Sequence, residues 1–259
     1  MSPGSRGGRP EFADRVVLVT GGSRGLGLSM VLAFAAAGAD VLIVSRRLES
    51  CERAAAAVRA QTGRRAVPFA CHVGRWQELD RLVEFAYEEF ERIDVLVNNA
   101  GMSPIYGEPT DVTEELWRKV IDVNLSGAFR LSALVGTRMA QAGGGSIINI
   151  SSVKSLDPTA DAIPYAAAKA GLNAITVGLA RAYGPAVRVN AILAGAFLPG
   201  ISESWDMEVF ERQARAFALG RAGDPGEIAG AALYFAGEAS SYTTGSLLRV
   251  DGGYREIGR

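Results

Sequence analysis

Thr20-Gly21-Gly22-Ser23-Arg24-Gly25-Leu26-Gly27 (TGGSRGLG) separates an apolar run, Val16–Thr20, from a segment of helical spacing, Gly25–Ala37. The run is short, rich in valine and apolar throughout, which predicts a strand buried on both faces. Gly21 permits a tight bend, Gly25 lets backbone approach a phosphate, and Gly27 lets the helix press on the sheet. A helix that begins at such a turn presents free N–H groups, a natural seat for a pyrophosphate. Strand, glycine turn and helix in that order predict a dinucleotide site.

The same alternation continues outward. Strands are predicted at Val41–Ser45, Ala66–Cys71, Val95–Val97, Ser146–Ile150, Val187–Ile192 and Leu247–Val250. Helices are predicted at Leu48–Ala60, Gln77–Phe90, about Glu114 to Met139, Tyr165–Tyr183 and Pro225–Ala236. Apolar strands alternating with helices give an α/β, doubly wound Rossmann-type fold: a mostly parallel seven-stranded sheet with helices on both faces. The polar start, MSPGSRGGRPEF, predicts a disordered arm over residues 1–12. Residues 13–259 then form one domain, with a lid at about 197–220.

Composition narrows the function. The 27 basic and 28 acidic side chains nearly cancel, so no surplus of charge points to nucleic acid. The apolar runs are too short to cross a bilayer. Two cysteines, Cys51 and Cys71, make no disulfide framework, which predicts a reducing cytoplasm. One histidine and two scattered cysteines make no metal cluster.

The second strand ends in Ser45-Arg46-Arg47. An acid there would grip a ribose 2′-OH, whereas arginines attract a 2′-phosphate, and Arg24 could approach it from the glycine turn. NADP(H) is the expected cofactor and NAD(H) the lesser alternative. Farther along, Pro164-Tyr165-Ala166-Ala167-Ala168-Lys169 sets a phenol and an ammonium four residues apart, on one helix face. An ammonium about 5 Å away, at an effective dielectric near 20, favours phenolate by about 3 kcal/mol. Burial pushes the other way, and the balance is expected to bring Tyr165 toward the operating pH.

These motifs form an ordered series across nearly the whole chain. TGGSRGLG, then NNAG (Asn98 to Gly101), DVNLSG with Asn124, INISS ending at Ser152, PYAAAK, RVNAI and TGSLLRVDGG follow one another. In that order they resemble the short-chain dehydrogenase/reductase superfamily. The resemblance implies Tyr165 as general acid/base and Lys169 as its tuning partner and ribose ligand. It implies Ser152 as holder of the substrate oxygen and Asn124 as support for a water linked to Lys169. For the cofactor it implies Gly21, Ser23, Arg24, Gly25, Leu26, Gly27, Ser45, Arg46, Arg47, His72, Val73, Asn98, Ala100, Gly101, Ile150, Ala194, Gly195 and Phe197, beside Tyr165 and Lys169. The activity implied is hydride transfer between NADP(H) and a small-molecule carbonyl or alcohol, in a homo-oligomer, commonly a tetramer. The alternative is a non-catalytic NADP-binding sensor with the same fold.

The chain departs from the family pattern in three places. His72 replaces an acid near the expected adenine. Pro199 stands where a threonine commonly holds the nicotinamide carboxamide. Lys154 follows Ser152, so a charge is expected on the pocket wall. Trp205, Met207, Phe210, Ala214 and Phe217 recur at near-helical spacing in the expected lid, and Met102 to Tyr106 offers a second wall.

Overall fold

A computed structural model describes residues 11–198 and 217–254. Seven strands, all parallel, form one sheet in the order β3-β2-β1-β4-β5-β6-β7. They are β1 Val16–Thr20, β2 Asp40–Ser45, β3 Ala66–Ala70, β4 Val95–Asn98, β5 Gly145–Ser152, β6 Val187–Ala194 and β7 Leu247–Val250. The helices are α1 Gly25–Ala36, α2 Leu48–Thr62, α3 Trp76–Phe90, α4 Glu114–Ile121, α5 Gly127–Gln141, α6 Ile163–Tyr183 and α7 Glu227–Ala236.

Strand alternation sorts the core into two layers. Val17, Val19, Val41, Ile43, Val95 and Val97 point to one face, where Met30 and Phe34 of α1, Val58 of α2 and Phe235 of α7 cover them. Leu18, Leu42, Val44, Leu96 and Ile147 point to the other, under Leu79 and Leu82 of α3, Leu131 and Val135 of α5 and Leu179 of α6. Both faces are dry, which is why these strands read as unbroken apolar runs rather than as alternating ones.

Three local features depart from the sequence expectation. The fold begins before residue 13: Phe12 is 1% exposed, meets the Phe34 ring edge-on at 5.4 Å, and donates its N–H to Ala37 O. Phe12 of the expected arm thus belongs to the fold, and the arm's first ten residues lie outside the described ones. The helix expected from Glu114 to Met139 is interrupted by a π-helical turn, Asp122–Ser126, between α4 and α5. Strand β5 runs on to Ser152, so this serine is the last strand residue and is fixed by its ladder to β6.

Strand order reverses between β1 and β4, and crevices at such switch points receive ligands at the carboxyl ends of the strands. The glycine turn, Asn98–Gly101 and Ser152 all sit at that end.

Candidate active site

The glycine turn is locked to its neighbours by hydrogen bonds that require its sequence. Thr20 Oγ1 donates to Val97 O and accepts from the N–H groups of Asn99 and Ala100, at 3.0 and 3.1 Å. The Asn99 amide donates to Thr20 O and Gly21 O. A Cβ on Gly27 would stand 2.1 Å from Gly21 O and 2.6 Å from that amide, so helix and turn touch only because the residue is glycine. Gly25 has φ +54°, a left-handed value, and open space where a Cβ would be. Ser23 is partly exposed, Arg24 exposed, and Leu26 packs on the core. No side chain caps α1 and no acid stands in its first turn, which leaves its terminal N–H groups suited to an anion.

Ser45 Oγ lies 3.1 Å from Cys51 Sγ and donates to Arg47 O. Arg46 and Arg47 are exposed and form no ion pair among the described residues. After β3, His72 donates its N–H to Glu78, and His72 Nδ1 accepts from Gly74 N–H at 3.2 Å. The histidine ring therefore shapes its own turn. Val73 O approaches α5 so closely that a Cβ on Gly127 would lie 2.2 Å away.

Tyr165 and Lys169 share one face of α6, with Lys169 Nζ 5.6 Å from the Tyr165 ring centroid. Pro164 stands in the first turn of α6, where its missing N–H costs nothing. The turn is held from outside by Tyr106, whose hydroxyl donates to Ala160 O at 2.7 Å and accepts from Ile163 N–H. The wall expected at Met102 to Tyr106 is thus also a brace for the helix that carries the phenol. Lys169 is 3% exposed and donates to Ile150 O at 2.7 Å. The Ser152 hydroxyl accepts from Lys154 N–H at 3.2 Å and influences the protonation of the Tyr165 phenol.

Burial sets the direction of both shifts, at Tyr165 and at Lys169. Burial pushes the Tyr165 phenol above its ordinary value, against the opposing bond from Ser152. Burial also pulls the Lys169 ammonium down to about 8. Burial is the larger influence on the phenol, so Tyr165 keeps its proton at neutral pH.

Asn124 sits in the π-helical turn and is 1% exposed. There Gly127 N–H reaches back five residues to Asp122 O, and the Asn124 amide takes Val120 O at 2.9 Å. The same side chain clasps the Met102 backbone, donating to its O and accepting from its N–H. A Cβ on Gly101 would lie 2.9 Å from Asn124 Oδ1 and 3.7 Å from Lys169 Nζ, so glycine there keeps the space between the two side chains open.

Asn98 differs from its expected role. Its side chain turns inward, donating to Ser132 Oγ at 2.8 Å and Asn149 Oδ1 at 2.9 Å, while Asn149 donates to Thr176. It ties β4, β5, α5 and α6 together beneath the site. Replacing Asn98 with Leu removes the donor from two buried acceptors and is expected to cost about 2–3 kcal/mol. Urea unfolding checks this: the midpoint falls while the slope stays constant.

Sequence reasoning missed a second buried bracket. Asn173, one turn beyond Lys169, donates to Ser155 Oγ at 2.8 Å, and Ser155 donates to Ser152 O at 2.6 Å. The i, i+4, i+8 spacing of Tyr165, Lys169 and Asn173 was the available signal.

At the far side of the site, Ala194 ends β6, and Gly195 lies so near Asp251 that a Cβ would meet it at 2.5 Å. Phe197 bridges to Gly223. Pro199 and the expected lid residues Trp205, Met207, Phe210 and Ala214 lie outside the described residues. Phe217 is buried and stacks edge-on with Tyr254, ring centroids 5.3 Å apart. At the amino ends of the strands a hollow of about 570 Å³ is lined by Arg15, Arg92, Asp94, Arg188 and Glu238. Its charges already serve one another, Arg15 pairing with Glu238 and Arg92 with Asp94, while Arg188 donates to Phe235 O. No cluster of His, Cys, Asp or Glu among the described residues suits a metal, and no described helix is long and apolar enough to cross a membrane.

Comparison with known proteins follows the same pattern. A family profile described as Enoyl-(Acyl carrier protein) reductase matches residues 21–255. Dehydrogenase/reductase SDR family member 4 of Oryctolagus cuniculus is 33% identical over 248 residues, covering 95% of this chain and 95% of its own. The 3-oxoacyl-acyl-carrier-protein reductase FabG of Chlamydia trachomatis is 36% identical over 243 residues, covering 93% of this chain and 98% of its own. Among solved structures, NADPH-dependent 3-quinuclidinone reductase of Rhodotorula rubra superposes with a TM-score of 0.88 at 29% identity, covering 98% of this chain and 97% of its own.

Proposed function

Because the chain belongs to the short-chain dehydrogenase/reductase family, an oxidoreductase family that uses nicotinamide cofactors, we propose that it reduces a carbonyl to a secondary alcohol with NADPH, and runs the reverse oxidation. The observation that carries this reading is Tyr165 and buried Lys169 on one face of α6, with Ser152 at the carboxyl end of β5 influencing the phenol's protonation.

The chain's surfaces suit the cofactor. The uncapped start of α1 and the open side of Gly25 fit a pyrophosphate. Exposed Arg46 and Arg47, with Ser45 and Arg24, suit a 2′-phosphate. His72 and Val73 would border the adenine side. Ala100, Gly101 and Ile150, with Tyr165 and Lys169, would hold the riboses, and Ala194, Gly195 and Phe197 the nicotinamide. When bound, the nicotinamide supplies or accepts the hydride.

The chain's own residues handle the oxygen and its proton. Ser152 and Tyr165 converge as two donors on one substrate oxygen and stabilise the charge that develops there. Tyr165 then gives up its proton. Lys169 is held by Ile150 O, and its charge favours the phenolate that remains. Asn124, bordering Gly101 beside Lys169, supports the water that returns a proton. Two donors aimed at one oxygen favour a carbonyl over an isolated carbon–carbon double bond. Family resemblance further supports a homo-oligomer, a tetramer, working on a small molecule, while the two cysteines support the cytoplasm and the balanced charge argues against nucleic acid as a partner.

A panel of ketones, 3-oxoacyl thioesters and 2-enoyl thioesters, followed by loss of nicotinamide absorbance, tests the reading. Turnover of ketones with NADPH is the expected result. Tight NADPH binding without turnover of any member would instead identify a sensor. Arg46→Ala is expected to weaken NADPH binding about tenfold, the worth of one charge-assisted bond, and NADH binding much less. Equal loss for both cofactors in a titration would reject the 2′-phosphate assignment.

A further inference from the structure

Lys154 lies beside the residues that handle the substrate oxygen, yet nothing in the proposed chemistry uses its charge. Its backbone N–H donates to Ser152 Oγ at 3.2 Å, which places it on the short 3-10 turn, Val153–Ser155, that follows β5. Its side chain leaves that turn and crosses toward the chain that follows β7. There Nζ lies 3.3 Å from the Tyr254 hydroxyl and 5.6 Å from the Tyr254 ring centroid. Ser152 pairs with Ala194, and Ala194 with Val250. The ammonium therefore spans the carboxyl end of β6, from which the chain passes to Phe197 and the expected lid.

The ammonium is only partly buried, and its partners are neutral. It forms no ion pair among the described residues. Among the described residues the carboxylate nearest in sequence to Tyr254, Asp251, is taken by Arg249 at 2.6 Å and by Gly253 N–H, and Glu256 lies outside them. The ring of Tyr254 is in turn pinned by Phe217, so the phenol holds the ammonium in place without neutralising it. An oriented cation with no ion-pair partner among the described residues, carried on the turn that follows Ser152, is an arrangement that recognises a substrate's negative charge.

We propose that Lys154 is a specificity-determining residue that receives an anionic group, a carboxylate or a phosphate, carried by the carbonyl substrate. The inference rests on the reductase reading above. It selects acidic ketones within that activity. Replacing the side chain leaves the backbone bond to Ser152 in place, so charge recognition and oxygen handling separate experimentally.

The test uses the full chain with NADPH and a series of methyl ketones ending in a carboxylate on spacers of increasing length, each beside its methyl ester. A parallel pair sets a keto phosphate monoester against its dephosphorylated parent. At the best spacer, wild type is expected to favour the anion by about tenfold in kcat/KM. Lys154→Met should bring that ratio to about one, and Lys154→Arg should retain it. The larger ratio, carboxylate or phosphate, identifies the natural group. Absence of any anion preference in wild type, or its survival in Lys154→Met, would overturn the proposal, as would a change in melting temperature alone.

Failure of the reductase reading shows separately, as no turnover of acids or esters alike. In that case calorimetric binding of an unreactive saturated carboxylate to the NADPH-loaded protein still reads the site. Weaker binding by about tenfold in Lys154→Met supports the proposal, and equal binding rejects it.

Discussion

Replacing Tyr165 with Phe is expected to lower kcat by about 10³-fold or more, while the dissociation constant for NADPH changes little. On the proposed reading the phenol gives its proton to an oxygen held by Ser152, and a positioned acid contributes about 10²–10⁴-fold to such reactions. Burial raises the phenol above its ordinary value, so the protonated form dominates throughout neutral pH. Reduction should therefore hold its rate through neutral pH, decline above about pH 8 as Lys169 loses the charge that favours the phenolate, and fall further as the phenol ionises. Phe fills nearly the same volume, so the melting temperature should move little. Stopped-flow hydride transfer and a cofactor titration on the same preparation provide the check. Substantial residual transfer would remove Tyr165 from the mechanism and with it the enzyme reading.

Lys169→Met should separate stability from activity. The ammonium is buried and drawn down to about 8 from the usual 10.5. A lysine whose folded value lies below its unfolded value costs stability wherever it is charged in both states, here below about pH 8. The penalty lifts as pH rises through about 8 toward 10.5, because the unfolded chain then binds the extra proton. The gap corresponds to about 3 kcal/mol, offset in part by the bond to Ile150 O that methionine cannot make. Lys169→Met is expected to unfold at higher temperature than wild type at pH 7, with the difference shrinking toward pH 10. Its kcat should fall about 10²-fold. Calorimetric scans across pH would show this convergence, and a variant less stable than wild type at pH 7 would contradict it.

What the sequence made legible follows from how many residues carry each signal. The seven strands and the helices between them were readable because each rests on several apolar positions at one period. Thr20 to Gly27 was readable because several glycines between a strand and a helix each meet a steric demand, above all Gly27 against Gly21 O. Features that depend on one residue were not. Phe12 sits in a polar, glycine-rich stretch whose composition hides one buried ring. The π-helical turn preserves helical periodicity on both sides and so leaves no gap in the pattern. Asn98 stands in a motif that points to the cofactor, but a side chain at the end of a strand can face either way. The protonation balance of Tyr165 needed depth of burial, which no spacing reports. Lys154 was visible as a charge, whereas its contact with Tyr254, a hundred residues on, was not.

The π-helical turn at Asp122–Ser126 makes residue count itself a constraint. Each α-helical residue rotates the chain by about 100°, and a π turn absorbs one residue beyond the α-helical count. That surplus lets Asn124 face Met102 while Leu131, Val135 and Met139 still face the sheet. Deleting any single residue there would allow an uninterrupted α-helix and force a choice between those two orientations. Evolution can respell this segment letter by letter, but it cannot shorten it by one.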